Sequence, residues 1–424
     1  MKKQRGKVLI AMSGGVDSSA AAFLLQREGY DVTGVFMVNY DSNKDSHDSN
    51  PQIIPNVPIN RYPNSRNIHH PADSQSSVDS YHGSNCWRNE YRDAVRVAAK
   101  LDIPLLRFDF IKEYDALVMQ YMYSEYEKGR TPNPDVLCNR EIKFGVWMEK
   151  ARELGFEYLA TGHYARILCS TYHVTRNKKN TEKQLVHDTC YVLSVPKDTE
   201  KDQTYFLHQL NQDQLAHTLF PLGEYTKDEV REIARKAGLP TSEKEESMGI
   251  CFVGEVSMKE FLQKKMKNNI GDVVMSSGEK IGEHDGLAFY TIGQRHFGIK
   301  EQGTKNKEQV NRPLFVVYKR METNELMVGY EDDPLLWKKE VAVSDVHWVA
   351  GLPPQFPLQC EVRLRHRQKM QKCQMTRIGG LYADDANHAD EMKLMFDEPQ
   401  RAVTQGQFAV FYKDGVCLGG GVIV

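Results

Sequence analysis

The sequence predicts an α/β protein: a doubly wound, mainly parallel sheet, then a small central domain, then a C-terminal β-barrel. Short apolar runs alternate with helical stretches from Lys7 to Tyr164, as strand–helix–strand units do. The pattern turns helical from about Tyr225, where Lys227 to Gly238 carries acids early and bases late. From about Leu314, runs such as Leu314-Phe315-Val316-Val317-Tyr318 and Phe408-Ala409-Val410-Phe411-Tyr412 are parted by Gly, Asp and Asn turns, the cadence of a small barrel. A chain of 424 residues is too long for one ordinary core. The domains expected are 1–215, 216–312 and 313–424.

Lys7-Val8-Leu9-Ile10-Ala11-Met12 reads as a buried strand that flows into Ser13-Gly14-Gly15-Val16-Asp17-Ser18-Ser19 and then into the helical Ala20 to Leu25. The two glycines permit a tight turn, and the helix start behind them concentrates N–H groups and positive potential. A phosphate belongs there. Gly29 stops the helix, and Asp31 to Val38 reads as a second buried strand. Residues 41–84 are rich in Ser, Asn, Asp, His and Pro and read as an inserted, disordered surface loop. Order returns at Cys86-Trp87, where Tyr91, Val95 and Ala98 share a helix face. Pro104 to Phe110 is a third strand, and Tyr114, Leu117, Val118, Tyr121 and Met122 have helical spacing. The loop Arg130 to Asn139 leads into a helix reaching Leu154, and Glu157 to Ala160 is a fourth strand closed by Thr161-Gly162-His163-Tyr164. Ligands of such sheets bind at the carboxyl ends of the strands.

The net charge of −2 excludes a globally basic nucleic-acid binder but not a local basic face. No apolar run approaches the roughly 18 residues of a membrane helix, so no membrane association is expected. Eight cysteines without a Cys-x-x-Cys pair argue against a structural zinc site and a secreted disulfide framework.

In the loop Thr131 to Asn139, Pro132 and Pro134 hold the intervening residues extended, presenting Asn133, Asp135 and Cys138 at a strand end. A rigid carboxylate and thiol suit acid/base and thiol chemistry, yet a surface turn with a core cysteine satisfies the same residues. Cys251, in Ser247-Met248-Gly249-Ile250-Cys251-Phe252, likewise reads on its own as a buried, inert thiol. Arg140 and Lys143 could supply positive potential to Cys138. Residues 360–377 hold Arg363, Arg365, Arg367, Lys369, Lys372 and Arg377 against the single acid Glu361. Alternate arginines on a strand face one way, as a phosphate track or as a charge-protected edge would.

Ser13-Gly14-Gly15-Val16-Asp17-Ser18-Ser19 resembles the pyrophosphate loop of enzymes that split ATP into AMP and diphosphate. With it, in one order, come Gly129-Arg130-Thr131-Pro132-Asn133-Pro134-Asp135, Ala160-Thr161-Gly162-His163-Tyr164-Ala165, Lys201-Asp202-Gln203-Thr204-Tyr205-Phe206-Leu207, Phe220-Pro221-Leu222-Gly223, Tyr290-Thr291-Ile292-Gly293-Gln294-Arg295 and Gly406-Gln407-Phe408. Together these resemble the tRNA-specific 2-thiouridylase family over nearly everything outside 41–84. Thr204 and Ser247-Met248 resemble its mitochondrial branch.

The resemblance implies an adenine nucleotide alpha hydrolase-like fold and ATP-dependent 2-thiolation of a wobble uridine in tRNA. ATP, with Mg²⁺, is expected along Ala11, Met12, Ser13, Gly14, Gly15, Val16, Asp17 and Ser18, closed by Met37 and Gly162, with Asp17 on the Mg²⁺ or the diphosphate. Cys251 would carry a persulfide from a sulfur-relay protein, Cys138 would be the partner thiol that leaves a Cys138 to Cys251 disulfide, and Asp135 would be the acid/base. Contacts to tRNA are implied for Asn133, Pro134, Asp135, His163, Lys201, Asp202, Gln203, Arg365, His366 and Gln407. A monomer is expected, in mitochondria by the branch resemblance, with the cytoplasm as the alternative because only six residues precede the first strand. Another adenylating enzyme, amidating or lysine-transferring, would share the first loop without needing paired thiols. A tRNA-binding protein without activity would keep the fold alone.

Overall fold

The computed structural model describes residues 5–39, 86–175, 185–245, 258–295, 312–378 and 391–424. The stretch 41–84 and the second candidate thiol, Cys251, lie outside the described residues.

Strands β1 (Lys7–Ala11), β2 (Asp31–Val38), β3 (Leu105–Asp109) and β4 (Tyr158–Ala160) precede a long hairpin, β5 (Arg166–Thr175) and β6 (Leu185–Ser194), and the short β7 (Thr218–Leu219). Five of them form an all-parallel sheet in the order β3-β2-β1-β4-β7. Its central strand is apolar on both sides, as a sheet covered by helices on both faces requires. Val8 and Ile10 enter one core with the helices Val16–Glu28 and Cys86–Leu101, and Leu9 enters the opposite core with Met37, Val136 and Cys138. Ala20, Ala21 and Ala22 let the first helix lie close on the sheet, all three fully buried.

The helix Lys227–Lys236, expected to open the central domain, belongs to that first core: Val230 and Ala234, one turn apart, are buried with Val8 and Ile10. A four-stranded sheet follows, from β8 (Gly271–Met275), β9 (Lys280–His284), β10 (Phe315–Arg320) and β11 (Glu325–Gly329), in the order β10-β11-β8-β9. The run at 314–318, expected in the barrel, therefore pairs into this sheet, where Val316, Leu326 and Val328 are buried together with Val273.

The C-terminal strands are β12 (Trp337–Trp348), β13 (Leu358–Arg363), β14 (Gln371–Arg377), β15 (Met392–Arg401), β16 (Phe408–Lys413) and β17 (Val416–Ile423). They close as β12-β15-β14-β13-β16-β17 and back to β12, a six-stranded antiparallel barrel. Alternate residues such as Val341, Val343, Cys373, Met375, Leu394 and Phe396 fill it. The β5–β6 hairpin, which the sequence reading missed, joins this sheet through Ser194 opposite Val416. In the parallel sheet the chain moves from β1 to β2 on one side and β4 lies on the other, so the strand order reverses between β1 and β4. The crevice outside that reversal is where such sheets hold ligands.

Candidate active site

The loop after β1 is shaped by its glycines. Gly14 has φ of +73°, and a Cβ there would lie 2.3 Å from the carbonyl oxygen of Glu90. Gly15 caps the helix, and no side chain caps its first-turn N–H groups. The hydroxyl of Ser18 accepts from the Ser13 N–H at 3.2 Å and stands 3.2 Å from the Ser13 hydroxyl, while Ser19 donates to the Gly15 carbonyl at 2.7 Å. Ala11 and Met12 lead into the loop, with Met12 buried, and Met37 is buried near the carboxyl end of β2.

Asp17, the acid of the loop, is taken. Both its oxygens accept from the Lys227 ammonium at 2.8 Å, and one accepts from the Tyr164 hydroxyl at 2.9 Å. A carboxylate already neutralised by an ammonium does not fit the expected Mg²⁺ ligand, and among the described residues no three His, Cys, Asp or Glu side chains are grouped to hold a metal ion. Lys244 adds a second cation, donating to the Gly14 carbonyl at 3.0 Å and pairing with Asp93 at 2.7 Å. Neither lysine stood out in the sequence.

The turn after β4 is the hub of the site. A Cβ on Gly162 would meet the Ser18 nitrogen at 2.9 Å, so glycine lets this turn lie against the start of the phosphate-loop helix. His163 accepts or donates a 2.8 Å hydrogen bond with the Thr161 hydroxyl and sits among the rings of Phe144 and Phe220, about 6 Å between centroids. Burial and the Lys143 cation hold its pKa well below the usual histidine range, so the imidazole is neutral.

Lys143 also acts on Cys138, which ties the thiol to the same place. Asn133 caps the short helix Pro134–Leu137, accepting from the Val136 N–H at 3.4 Å, with Pro134 at its first position. Asp135 and Cys138 are three residues apart along this helical run and therefore neighbours on it. Cys138 opens a π-helical stretch, Cys138–Val146, a geometry common at functional sites. Arg140 faces elsewhere, bound to Glu141 and, at 2.7 Å, to Gln209.

Cys138 is fully buried, and burial pushes its thiol up to about 12, the nearby carboxylate of Asp135 adding to the rise and Lys143 opposing it. The resting state is a thiol. Against a free thiol of pKa about 8.5, the thiolate fraction at pH 8 falls roughly a thousandfold, so alkylation of Cys138 by iodoacetamide is expected to be slower by at least that factor. Its rate should climb about tenfold per pH unit through pH 11; peptide mass spectrometry showing a plateau near pH 8 would contradict the buried thiol.

The barrel reaches this loop. Gln407 donates to the carbonyls of Thr131 and Pro132 at 2.8 and 3.3 Å and accepts from Asn133 at 3.4 Å. Its amide thus braces the loop. The turn Lys201-Asp202-Gln203 lies beside the hub, since Gln203 accepts from the Tyr164 N–H at 2.9 Å. Asp202, expected to face tRNA, is instead buried: one oxygen accepts from the Thr204 N–H and hydroxyl at 2.9 and 2.6 Å, the other from Arg363 at 2.5 Å. This pair is a strut between the first domain and the barrel. It also corrects the phosphate track, because β13 ends at Arg363 and only the turn beyond carries Arg365 and Arg367, both exposed. Arg365 donates to the carbonyls of Arg401 and Ala402 at 2.8 and 3.1 Å. His366 packs tilted against Phe206, 4.4 Å between centroids, and burial with the Arg367 and Arg363 cations brings its pKa down to about 4.

Residues 6–56 and 60–255 match the family described as tRNA methyl transferase HUP domain, 259–330 the tRNA methyl transferase PRC-barrel domain, and 338–423 the aminomethyltransferase beta-barrel domain. The tRNA-specific 2-thiouridylase MnmA of Francisella philomiragia is 38% identical over 422 residues, covering 99% of this chain and 100% of that protein. The same-named protein of Francisella tularensis subsp. novicida is 40% identical over 420 residues, covering 99% of each. A solved 4-thiouridine synthetase–RNA complex with bound ATP shares 16% identity over 61% of this chain and 50% of that one, with a TM-score of 0.31, too low to bear on the fold. With identity of 38–40% maintained from end to end, the chain belongs to the tRNA-specific 2-thiouridylase family.

Proposed function

We propose that this chain is a tRNA-uridine sulfurtransferase that replaces the C2 oxygen of a wobble uridine with sulfur at the expense of ATP. One observation carries the reading: the four residues Thr161 to Tyr164 touch the phosphate loop through Gly162 and Tyr164 and the Cys138 region through His163. Nucleotide and thiol chemistry thus share one turn.

The C2 oxygen is a poor leaving group, and adenylation converts it into AMP, a good one. ATP fits the loop as substrate, its phosphates on the first-turn N–H groups of Val16, Asp17 and Ser18 with Lys227 and Lys244 as the nearby cations. Mg²⁺ would accompany ATP through the phosphates rather than through Asp17. The terminal sulfur of a persulfide on Cys251, charged by a sulfur-donor protein, attacks C2 and AMP departs. Cys138, giving its proton to Asp135, then attacks the Cys251 sulfur; the S–S bond to the base breaks, sulfur stays on C2, and a Cys138 to Cys251 disulfide remains for a thiol reductant to reopen. The base must leave the anticodon stack to reach this turn. Exposed Arg365, Arg367, Lys369, Lys372 and Arg377 supply a local basic face for the phosphates despite the acidic total.

We place the protein, as a monomer, in mitochondria on the branch resemblance of Thr204 and Ser247-Met248. Mass spectrometry of wobble uridines from organellar and cytosolic tRNA of a knockout tests both parts. The expected result is loss of 2-thiouridine from the organellar pool alone; unchanged 2-thiouridine in both pools would overturn the reading. Purified protein with ATP, unmodified tRNA and a persulfide donor should release one AMP and one diphosphate per sulfur inserted.

A further inference from the structure

The barrel interior holds a pair of thiols that the reaction above does not use. Cys360 on β13 lies directly opposite Cys373 on β14, both belong to the barrel core at 7% and 1% exposed, and their sulfurs are 3.7 Å apart. Directly opposed residues of an antiparallel pair have Cα atoms about 4.5–5.5 Å apart, inside the span of about 4.4–6.8 Å that a disulfide bridges. The backbone spacing is thus already that of a disulfide, and the sulfurs reach a bond length of about 2.05 Å by rotation of two side chains. Between the two cysteines the chain carries Arg363, tied to Asp202, and then the turn with Arg365 and Arg367, both exposed. A bond between the sulfurs would close the base of the β13–β14 hairpin, on the strand that the Asp202 strut already holds to the first domain.

We propose that Cys360 and Cys373 are a redox-sensitive lock in the barrel, a dithiol that a low-molecular-weight disulfide converts into a cross-strand disulfide and that a thiol reopens. The hydrogen bond to Cys360 and burial both push the Cys373 thiol up, so it stays protonated at neutral pH and reaction starts at Cys360, the more exposed of the two. The Cys360 thiolate attacks one sulfur of the small disulfide, a mixed disulfide forms and one small thiolate leaves. Cys373 then attacks the Cys360 sulfur; the protein S–S bond forms, the mixed disulfide breaks, and the second small thiolate leaves. The two cysteines lose two electrons and two protons, and the small disulfide becomes two thiols. Closing the hairpin restricts the unfolded barrel more than the folded one, so the locked form resists unfolding. None of this depends on the thiolation reading.

The test treats the folded full-length protein with bis(2-hydroxyethyl) disulfide, blocks the remaining thiols with N-ethylmaleimide and maps tryptic peptides by mass spectrometry. Cleavage at the Arg and Lys residues between the two cysteines makes the bond visible as a pair of linked peptides. The expected result is a 360–373 link at least about tenfold more abundant than any link through Cys417, which is as deeply buried at 1% exposed. Cys169, which is exposed, reports by its own mixed disulfide that the reagent acted. The treatment should raise the urea midpoint of the barrel tryptophans by about 1 M, and dithiothreitol should return it. Cys360→Ala and Cys373→Ala should show no rise, while Cys138→Ala, which cannot form the disulfide of the sulfur-transfer route, should show the whole of it. A modified Cys169 without the 360–373 link, a link that forms only in unfolded protein, a midpoint unmoved or lowered by the link, or a rise lost in Cys138→Ala overturns the proposal. The linked peptides are read on wild type, so a variant that fails to fold leaves that measurement decisive.

Discussion

Cys138→Ser protein, supplied to a host without its own 2-thiouridylase, should leave wobble 2-thiouridine at least about a thousandfold below wild type, while diphosphate release with unmodified tRNA stays within about tenfold. The asymmetry follows from where the residue sits. Cys138 lies on the Leu9 side of the sheet among buried apolar side chains, and the phosphate loop is held by Ser18, Lys227, Lys244 and Tyr164, none of which depends on its sulfur. Activation of the base therefore survives, and only cleavage of the bond between base sulfur and Cys251 fails. A serine hydroxyl cannot form the disulfide with Cys251 that releases the base sulfur, and it would be even harder to ionise than a buried thiol. Cys138→Ala, which buries no hydroxyl, should give the same split. If both variants thiolate at the wild-type rate, Cys138 is a core residue and the two-thiol route is wrong; if both lose diphosphate release as well, the thiol shapes the nucleotide site.

The burial of Cys138 bears on how the step is timed. A thiol held at about 12 is a poor nucleophile in the resting protein and reacts slowly with oxidants. Lys143 is placed to lower that barrier, being the cation that acts on both Cys138 and His163.

The parallel sheet and its first loop were legible because their signals are local. Val8 to Ile10 can only be a buried strand, and Gly14, at φ of +73°, is the kind of residue a tight turn needs. The order of the motifs singled out Asp17, Asp135, Cys138 and His163 as one candidate site before any distance was known. Lys227 and Lys244 were not legible, because each is an ordinary charged residue in its own neighbourhood. Lys227 reads as a solvated first-turn lysine of an amphipathic helix, and its partner Asp17 is 210 residues away. Arg363 was misread through parity: the alternation Arg363, Arg365, Arg367 is real, but the strand stops at Arg363, so the first arginine points inward and the others sit on a turn. The β5–β6 hairpin escaped because the intervening 176–184, Arg-Asn-Lys-Lys-Asn-Thr-Glu-Lys-Gln, holds no Gly or Pro to announce a turn.

That inward arginine leads to the second large effect. Arg363→Met or Asp202→Asn alone should destabilise the protein by about 3–5 kcal/mol, read as an earlier urea transition of the barrel tryptophans, because either change strands one charge in a dry site. The side chains of Arg363 and Asp202 are 10% and 1% exposed, Thr204 links the carboxylate to the Tyr412 hydroxyl at 3.1 Å, and the guanidinium lies 5.3 Å from the Tyr412 ring centre. The double variant, apolar at one end and neutral at the other, should recover most of the loss, since no lone charge is left behind. A direct phosphate or base contact predicts the opposite pattern. Asp202→Asn would then weaken tRNA binding in a protein of unchanged stability, and the double variant would recover nothing. Equilibrium unfolding and tRNA affinity measured on the same three proteins decide whether this pair holds the barrel to the catalytic domain or reads the substrate.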